Sequence, residues 1–434
     1  MKKVAFYTLG CKVNQYETEA MAELFEKSGY TVCDFDEFAD IYVINTCTVT
    51  SMSDRKSRQI IRRAKKMNEN AYIIVTGCYA QVAQDEVAKI EGVNLVLGAK
   101  DRDKIVTFAD EYFKEQLIVK SSDISYTHTF EPLTIGEFKS RTRAYIKVQE
   151  GCNQFCSYCI IPYARGPIRS RDLDDVINET KRLANAGFTE VTYVGIHIAS
   201  YGLDKKNYDL ADLLCAADKV DGIKRIRLSS IEPMTLNADF IKKISGVKKL
   251  CHHFHLSLQS GCDETLKRMN RKYTVDDYYN IVLGLRRHFP DVAITTDIMV
   301  GFPGETEEEF SKTCAFLEKV SFSSAHIFQY SRRKGTPADS FENQIPSEIK
   351  AKRSKIVKEI TDITRLEFME KFIGCDAEVL FEQRVGGYFE GKTGNYMNVL
   401  VKTDAELSGQ YKTVRLERIK NGSFIGKIVN NNYC

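Results

Sequence analysis

Short apolar runs alternate with helical patterns through the first hundred residues of this chain. Val4 to Leu9, Ile41 to Asn45, Tyr72 to Thr76 and Asn94 to Leu97 read as strands, and between them Glu17 to Ser28 and Ser53 to Met67 carry apolar residues at helical spacing. Strands that are apolar on both faces belong in a covered parallel sheet, so the pattern predicts a parallel α/β layer. A polar, poorly periodic stretch from Ser121 to Ser140 reads as a linker. After it the alternation resumes on a larger scale, with strands predicted at Ala144 to Gln149, Glu190 to Gly195, Ile223 to Ser229, Phe254 to Gln259, Ala293 to Val300 and Ser324 to Tyr330. These strands and the helices between them predict a full or partial βα barrel whose site lies at the carboxyl face. Past Gly335-Thr336-Pro337 an amphipathic helix runs from Ser347 to about Lys371, with Ile356, Ile360, Ile363, Leu366 and Met369 on one stripe. From Phe372 onward, short strands punctuated by glycine and asparagine turns predict a small all-β barrel. The expected organisation is an α/β protein with a parallel α/β domain over 1–115, a partial (βα)6 barrel over 138–368 and the all-β barrel over 371–434.

A length of 434 residues suits such a division. The formal net charge of +3 does not mark a nucleic-acid binder, so that reading must rest on local clustering. Thirteen cysteines without a secretory signal point to metal or catalytic use in a reducing, cytoplasmic compartment. The apolar run after Met1-Lys2-Lys3 ends at Gly10-Cys11-Lys12, too early for a signal segment, and no stretch suits a membrane span.

Three of the cysteines form the run Cys152-Asn153-Gln154-Phe155-Cys156-Ser157-Tyr158-Cys159, just past the first barrel strand. Three thiolates so spaced can hold a four-iron cluster and leave one iron open for chemistry, whereas an electron-transfer cluster takes four cysteines and structural zinc four ligands in pairs. A zinc site and buried thiols are the alternatives. Cys11, Cys47 and Cys78 each follow the carboxyl end of a strand of the first domain, where ligand crevices of open parallel sheets lie, so they can converge on a second metal site. The plainer reading is that they are small core residues.

Residues two apart on a strand share a face. His253, His255, Ser257 and Gln259 then share one, Arg225, Arg227 and Ser229 another, and Asp297 faces the same way as Thr295, which implies a polar ligand inside the barrel. The histidines read as hydrogen-bonding wall residues, with metal ligation the alternative. Gly301-Phe302-Pro303-Gly304-Glu305 is a turn that permits close backbone approach to a ligand. From Arg55 to Lys66 the chain carries Arg55, Lys56, Arg58, Arg62, Arg63, Lys65 and Lys66 without an acidic residue, opposite Ile60, Ile61, Ala64 and Met67. Such an unbalanced face suits phosphate contact or is simply solvated. Lys267-Arg268, Arg271-Lys272 and Arg332-Arg333-Lys334 fall near the barrel rim.

The cysteine run resembles the radical S-adenosylmethionine signature. Thr8-Leu9-Gly10-Cys11-Lys12-Val13-Asn14, Asn45-Thr46-Cys47-Thr48-Val49, Thr76-Gly77-Cys78, Cys159-Ile160-Ile161-Pro162-Tyr163-Ala164-Arg165-Gly166, Leu256-Ser257-Leu258-Gln259-Ser260-Gly261 and Val300-Gly301-Phe302-Pro303-Gly304-Glu305-Thr306 narrow the resemblance to the methylthiotransferases. Gly10-Cys11-Lys12-Val13-Asn14-Gln15-Tyr16-Glu17-Thr18-Glu19 and Ser53-Asp54-Arg55-Lys56-Ser57-Arg58 are most similar to the bacterial branch acting on threonylcarbamoyladenosine beside the tRNA anticodon. The resemblance implies a cluster domain, a radical core and a TRAM-type barrel. It implies two 4Fe-4S clusters: one on Cys152, Cys156 and Cys159 that binds S-adenosylmethionine, and one on Cys11, Cys47 and Cys78 that carries the sulfur. A 5′-deoxyadenosyl radical would take hydrogen from C2 of the adenine, and a second S-adenosylmethionine would supply the methyl group. Also implied are a cofactor wall of backbone around Tyr158 with Arg227, Ser229, Gln259, Asp297 and Gly301, the tRNA anticodon stem-loop as partner, gripped by the TRAM-like barrel and the Arg55 to Lys66 helix, and an electron donor such as flavodoxin or ferredoxin. Ser331-Arg332-Arg333-Lys334 departs from the family pattern in its extra charge, which bears on rim contacts. Cys33, Cys215, Cys251, Cys262, Cys314, Cys375 and Cys434 match no motif and read as structural or incidental. The rival readings are the same chemistry on isopentenyladenosine in tRNA or on a ribosomal-protein aspartate, and a non-catalytic metal-binding, RNA-binding protein.

Overall fold

The computed structural model describes residues 2–113, 117–136 and 142–429; residues 137–140 of the expected linker, the expected domain end at 115 and Cys434 lie outside the described residues. β1 (Lys3–Thr8), β2 (Thr31–Cys33), β3 (Ile41–Thr46), β4 (Tyr72–Gly77), β5 (Val93–Leu97) and β6 (Ile118–Lys120) form one parallel sheet in the order β2-β1-β3-β4-β5-β6. Every residue of β3 and β4 is buried, as their unbroken apolar character requires. Helix Lys12–Lys27 covers one face through Met21 and Phe25, and helix Ser51–Met67 covers the other through Ile60, Ile61 and Ala64.

In the second domain β7 (Ala144–Glu150), β9 (Glu190–Gly195) and β10 (Arg225–Leu228) run parallel, with the two-residue β8 (Arg169–Ser170) antiparallel on the outer edge of β7. β11 (His253–His255), β12 (Ala293–Val300) and β13 (Ser324–Gln329) form a second parallel set. Parallel bridges from Ile226 to Leu250 and from Ile231 to Leu256 join the two into one open wall of six parallel strands. Alternation holds along it: Phe254, Leu256 and Leu258 are buried against the covering helices, while His253, His255 and Ser257 take the opposite face. β14 (Asp376–Val385), β15 (Tyr388–Thr393), β16 (Asn398–Val401), β17 (Tyr411–Lys420) and β18 (Ser423–Ile428) close a five-stranded barrel around Val379, Phe381, Phe389, Val399, Val414, Leu416 and Phe424.

Two expectations change. The segment from Ser121 is a packed strap: Ile124, Leu133 and Ile135 are buried, Tyr16 donates from its hydroxyl to the Leu133 carbonyl (2.9 Å), and Glu131 pairs with Arg102 (2.5 Å). Its few apolar residues are spaced for contact with two domains, so no period betrays them. The helix Ser347–Glu370 buries Arg353, Val357, Thr361, Thr364 and Met369, leaving Ile363 and Leu366 exposed. Arg353 turns inward because Glu305 pairs with it at 2.7 Å, and threonines there bond to backbone carbonyls, so polar residues displace part of the apolar stripe.

Candidate active site

β7 ends on Gln149 and Glu150, and the chain then turns into the loop that carries Cys152, Cys156 and Cys159. The loop is pinned by its backbone: Cys152 N donates to Gly166 O (3.0 Å), Ser157 N to Met269 O (3.0 Å), Cys159 N to Cys156 O (2.9 Å), and Ala338 N to Ser157 O (2.8 Å). Phe155 takes a left-handed conformation (φ 48°), and Tyr158 packs edge-on to Phe302 at 6.3 Å. Arg271 reaches Cys156 Sγ at 3.4 Å and is held by Glu232 at 2.7 Å, a buried pair. Burial pushes the Cys152 thiol up to about 11 and the Cys159 thiol up to about 12, the neighbouring thiols adding to the rise. The bare Cys152 and Cys159 thiols are protonated near neutral pH, and a bound metal cation would stabilise their thiolates.

On the wall beside this loop Asp297 accepts from Ser257 Oγ (3.2 Å) and lies 3.1 Å from His255 Nε2. Burial opposes the Asp297 charge, but hydrogen bonding and charge from His255, with His326 and Ser257, hold its carboxyl below the usual range. His253 and His255 both meet Thr295 Oγ1, at 3.1 and 3.0 Å, which fits wall residues and not metal ligands. Gln259 turns off the strand at φ 68°. Ser229 Oγ and both ring nitrogens of His197 are buried with no hydrogen-bond partner among the described residues. Burial and the charge of Arg271 depress His197 to about 4, so it is neutral and can both donate and accept. Unpartnered polar atoms beside a three-thiol loop fit a polar ligand.

The wall expected from sequence is redrawn at two positions. Arg227 is spent elsewhere: it donates to Glu190 (2.6 Å) and to the carbonyls of Gly394 (2.9 Å) and Thr393 (2.8 Å), clamping the C-terminal barrel. Gly301 N is taken by Glu305 (2.6 Å), and a Cβ there would fall 2.1 Å from Lys350 Cγ, so the close approach is by a side chain of the C-terminal helix. Among the rim charges, Arg268 pairs with Glu309 and Arg271 with Glu232, leaving Lys267 and Lys272 exposed. On helix Ser51–Met67 Arg58 and Arg63 pair with Glu86 and Asp36, while Arg55, Lys56, Arg62 and Lys66 remain exposed. His197 and Arg271 have no distinguishing sequence signal beyond a histidine just past a strand end and membership of a basic pair.

The second trio stands at the carboxyl end of the first sheet. Cys11, Cys47 and Cys78 follow β1, β3 and β4, which are neighbours in that order. A Cβ placed on Gly10 would lie 3.0 Å from Cys47 Sγ, and one on Gly77 (φ 94°) would lie 2.5 Å from both Asn45 Oδ1 and Thr46 O, so each cysteine loop closes against the next. Cys47 and Cys78 are buried; Cys11 keeps solvent access although protein crowds its thiol enough to raise it. Burial pushes the Cys78 thiol up to about 12, with Arg165 opposing. Among the described residues no three cysteine, histidine or acidic side chains are close enough to share one ion. Three thiol donors are one short of the four ligands that structural zinc takes, and a four-iron cluster can be held by three.

An open six-stranded βα wall with a three-cysteine loop at its carboxyl face is the architecture of a radical S-adenosylmethionine enzyme, and residues 146–317 match the Radical SAM superfamily. Residues 3–98 match the family described as Uncharacterized protein family UPF0004. The chain is 43% identical to the threonylcarbamoyladenosine tRNA methylthiotransferase MtaB of Bacillus subtilis (strain 168), over 97% of this chain and 95% of that one. It is 36% identical to the tRNA-2-methylthio-N(6)-dimethylallyladenosine synthase of Acetivibrio thermocellus, over 97% of this chain and 90% of that one. The chain belongs to the radical S-adenosylmethionine tRNA methylthiotransferases. Its fold is similar to that of the radical S-adenosylmethionine methyltransferase TsrM from Kitasatospora setae, solved with cobalamin and a 4Fe-4S cluster, at a TM-score of 0.55, 17% identity and coverage of 78% of this chain and 77% of that one.

Proposed function

We infer that this chain converts N6-threonylcarbamoyladenosine beside the tRNA anticodon to its 2-methylthio derivative. The observation that carries the substrate is full-length similarity to threonylcarbamoyladenosine enzymes, 43% in Bacillus subtilis, above the 36% to a dimethylallyladenosine synthase. Cys152, Cys156 and Cys159 hold one 4Fe-4S cluster, and Cys11, Cys47 and Cys78 the other. When bound, the clusters and S-adenosylmethionine supply a carbon radical able to take hydrogen from an adenine C–H, together with the sulfur and methyl groups to be installed. No acid–base pair is needed for such a bond, which accounts for a wall built of hydrogen-bonding groups. Tyr158 backbone, Ser229, Gln259 and Asp297, with His197, orient the cofactor. Arg271 sets a positive charge beside Cys156 that offsets thiolate charge, and Glu232 holds it there. Met269, Phe302 and Tyr330, the apolar cluster against which Tyr158 packs, keep water from a reactive carbon centre. An electron must come from outside, from a carrier such as flavodoxin or ferredoxin. Exposed Arg55, Lys56, Arg62 and Lys66 and the C-terminal barrel meet the stem-loop through phosphate contacts.

Anaerobically reconstituted protein, reduced and given stem-loops carrying either threonylcarbamoyladenosine or isopentenyladenosine, tests this reading. Methylthiolation of the first and not the second is expected; turnover of the isopentenyl substrate alone contradicts it. Cleavage of S-adenosylmethionine that survives Cys156→Ala removes the radical chemistry altogether.

A further inference from the structure

Arg165 stands six residues past Cys159, at the end of the short helix Ile161–Arg165, yet its side chain points into the other cysteine site. It is fully buried. Its Nε lies 3.1 Å from Cys78 Sγ. Nη1 donates to Glu17 Oε1 (2.6 Å) and Glu150 Oε1 (3.0 Å), and Nη2 to Asn14 Oδ1 (2.6 Å) and Glu17 Oε2 (3.0 Å). Asn14 in turn donates to the carbonyls of Leu9 (2.7 Å) and Thr46 (3.0 Å), which lead into Cys11 and Cys47. One guanidinium from the radical core therefore ties down all three strand-end loops of the first domain, Cys78 directly and the other two through Asn14. Glu17 and Glu150 are themselves held by Lys147 (2.9 and 2.6 Å), so the fork cannot swing away.

We propose that Arg165 is a positioning residue through which the radical core fixes and electronically tunes the Cys11, Cys47, Cys78 centre. Its Nε–H donates a charge-assisted hydrogen bond to the Cys78 sulfur, draws electron density from it and raises the reduction potential of the cluster held there. The proposal rests on the reading of that trio as cluster ligands. Arginine suits the task because its planar fork serves the sulfur, the amide and two carboxylates at once, which a lysine ammonium cannot do.

The test uses the full chain with C152A, C156A and C159A, so that only the second cluster is present, reconstituted anaerobically and followed by EPR during a redox titration. Arg165→Gln is expected to move the midpoint to a more negative potential, and Arg165→Lys, which keeps the charge, to move it less; a midpoint unmoved by Arg165→Gln overturns the proposal. Because Arg165→Gln strips two buried carboxylates of a cation, a second readout keeps the native side chain: with guanidino-15N arginine, pulsed EPR of the reduced cluster is expected to show a nitrogen hyperfine coupling, and its absence overturns the proposal. A folded triple-cysteine variant that takes up no iron overturns the cluster reading of the trio itself, an outcome distinct from iron that loads with an unchanged midpoint.

Discussion

Gly77 shows how a single residue shapes the turns that carry Cys47 and Cys78. At φ 94° it has a conformation costly for any other residue, and a Cβ would press to 2.5 Å on Asn45 Oδ1 and the Thr46 carbonyl, the atoms that set the Cys47 turn. Gly77→Ala is expected to cost about 1–3 kcal/mol and to reduce the iron bound per chain, read from thermal melts and iron assay of the reconstituted protein. Loss of stability with full iron loading would mean that the turn serves the fold alone. At this scale the sequence is informative where chemistry depends on residue type and spacing: both cysteine trios are legible at strand ends from the apolar runs that precede them. It is uninformative where a side chain's role depends on what faces it. Arg227 and Arg271 look alike in the sequence, yet one clamps a barrel and the other sits beside Cys156, because Glu190 and Glu232 come from distant parts of the chain.

Between elements, contacts of that kind decide which charges matter. Arg333 lies in the loop after β13, is buried, and reaches Asp54 in the first turn of helix Ser51–Met67 and Thr48 in the loop before it, while Ser331 Oγ meets Ser51 Oγ at 3.1 Å. The residues that depart from the family pattern thus join the radical core to the domain bearing Cys47. Arg333→Ala leaves Asp54 buried and unpaired, and a loss of about 3 kcal/mol is expected in denaturant unfolding. Arg332→Ala, whose guanidinium is exposed, is expected to stay within about 0.5 kcal/mol. Equal effects would contradict the buried latch. Long strands buried on both faces, and the regular helices, are legible from periodicity. β2, β6 and β8 are not, being two- or three-residue edge strands defined by pairing alone. The fourth barrel strand, expected to run to Gln259, ends at His255 as a regular ladder and continues only as single parallel bridges at Leu256 and Gln259.

Across the whole molecule, the two domains that carry the cysteine trios meet through a buried ionic core of Glu17, Glu131 and Glu150 with Arg102, Lys147 and Arg165. Burial opposes the charges of Glu17 and Glu150, but Arg102, Arg165 and Lys147 outweigh it and hold both carboxyls below the ordinary range. A carboxyl whose folded pKa is depressed stabilises the fold above its unfolded value of about 4.3, and that contribution is lost as pH falls toward the folded value. The melting temperature is therefore expected to fall steeply below about pH 5, and Glu150→Gln to flatten that acid limb while lowering stability near neutrality; an acid limb unchanged by Glu150→Gln would place the sensitivity elsewhere.

Residue, element and domain together build an enzyme that methylthiolates threonylcarbamoyladenosine in tRNA. The direct measurement is mass spectrometry of tRNA nucleosides from a strain lacking this gene and from the same strain complemented with it. 2-Methylthio-N6-threonylcarbamoyladenosine is expected to disappear in the deletion and return on complementation, while the methylthiolated isopentenyl nucleoside is unaffected. Persistence of the threonylcarbamoyl product in the deletion strain would contradict this function.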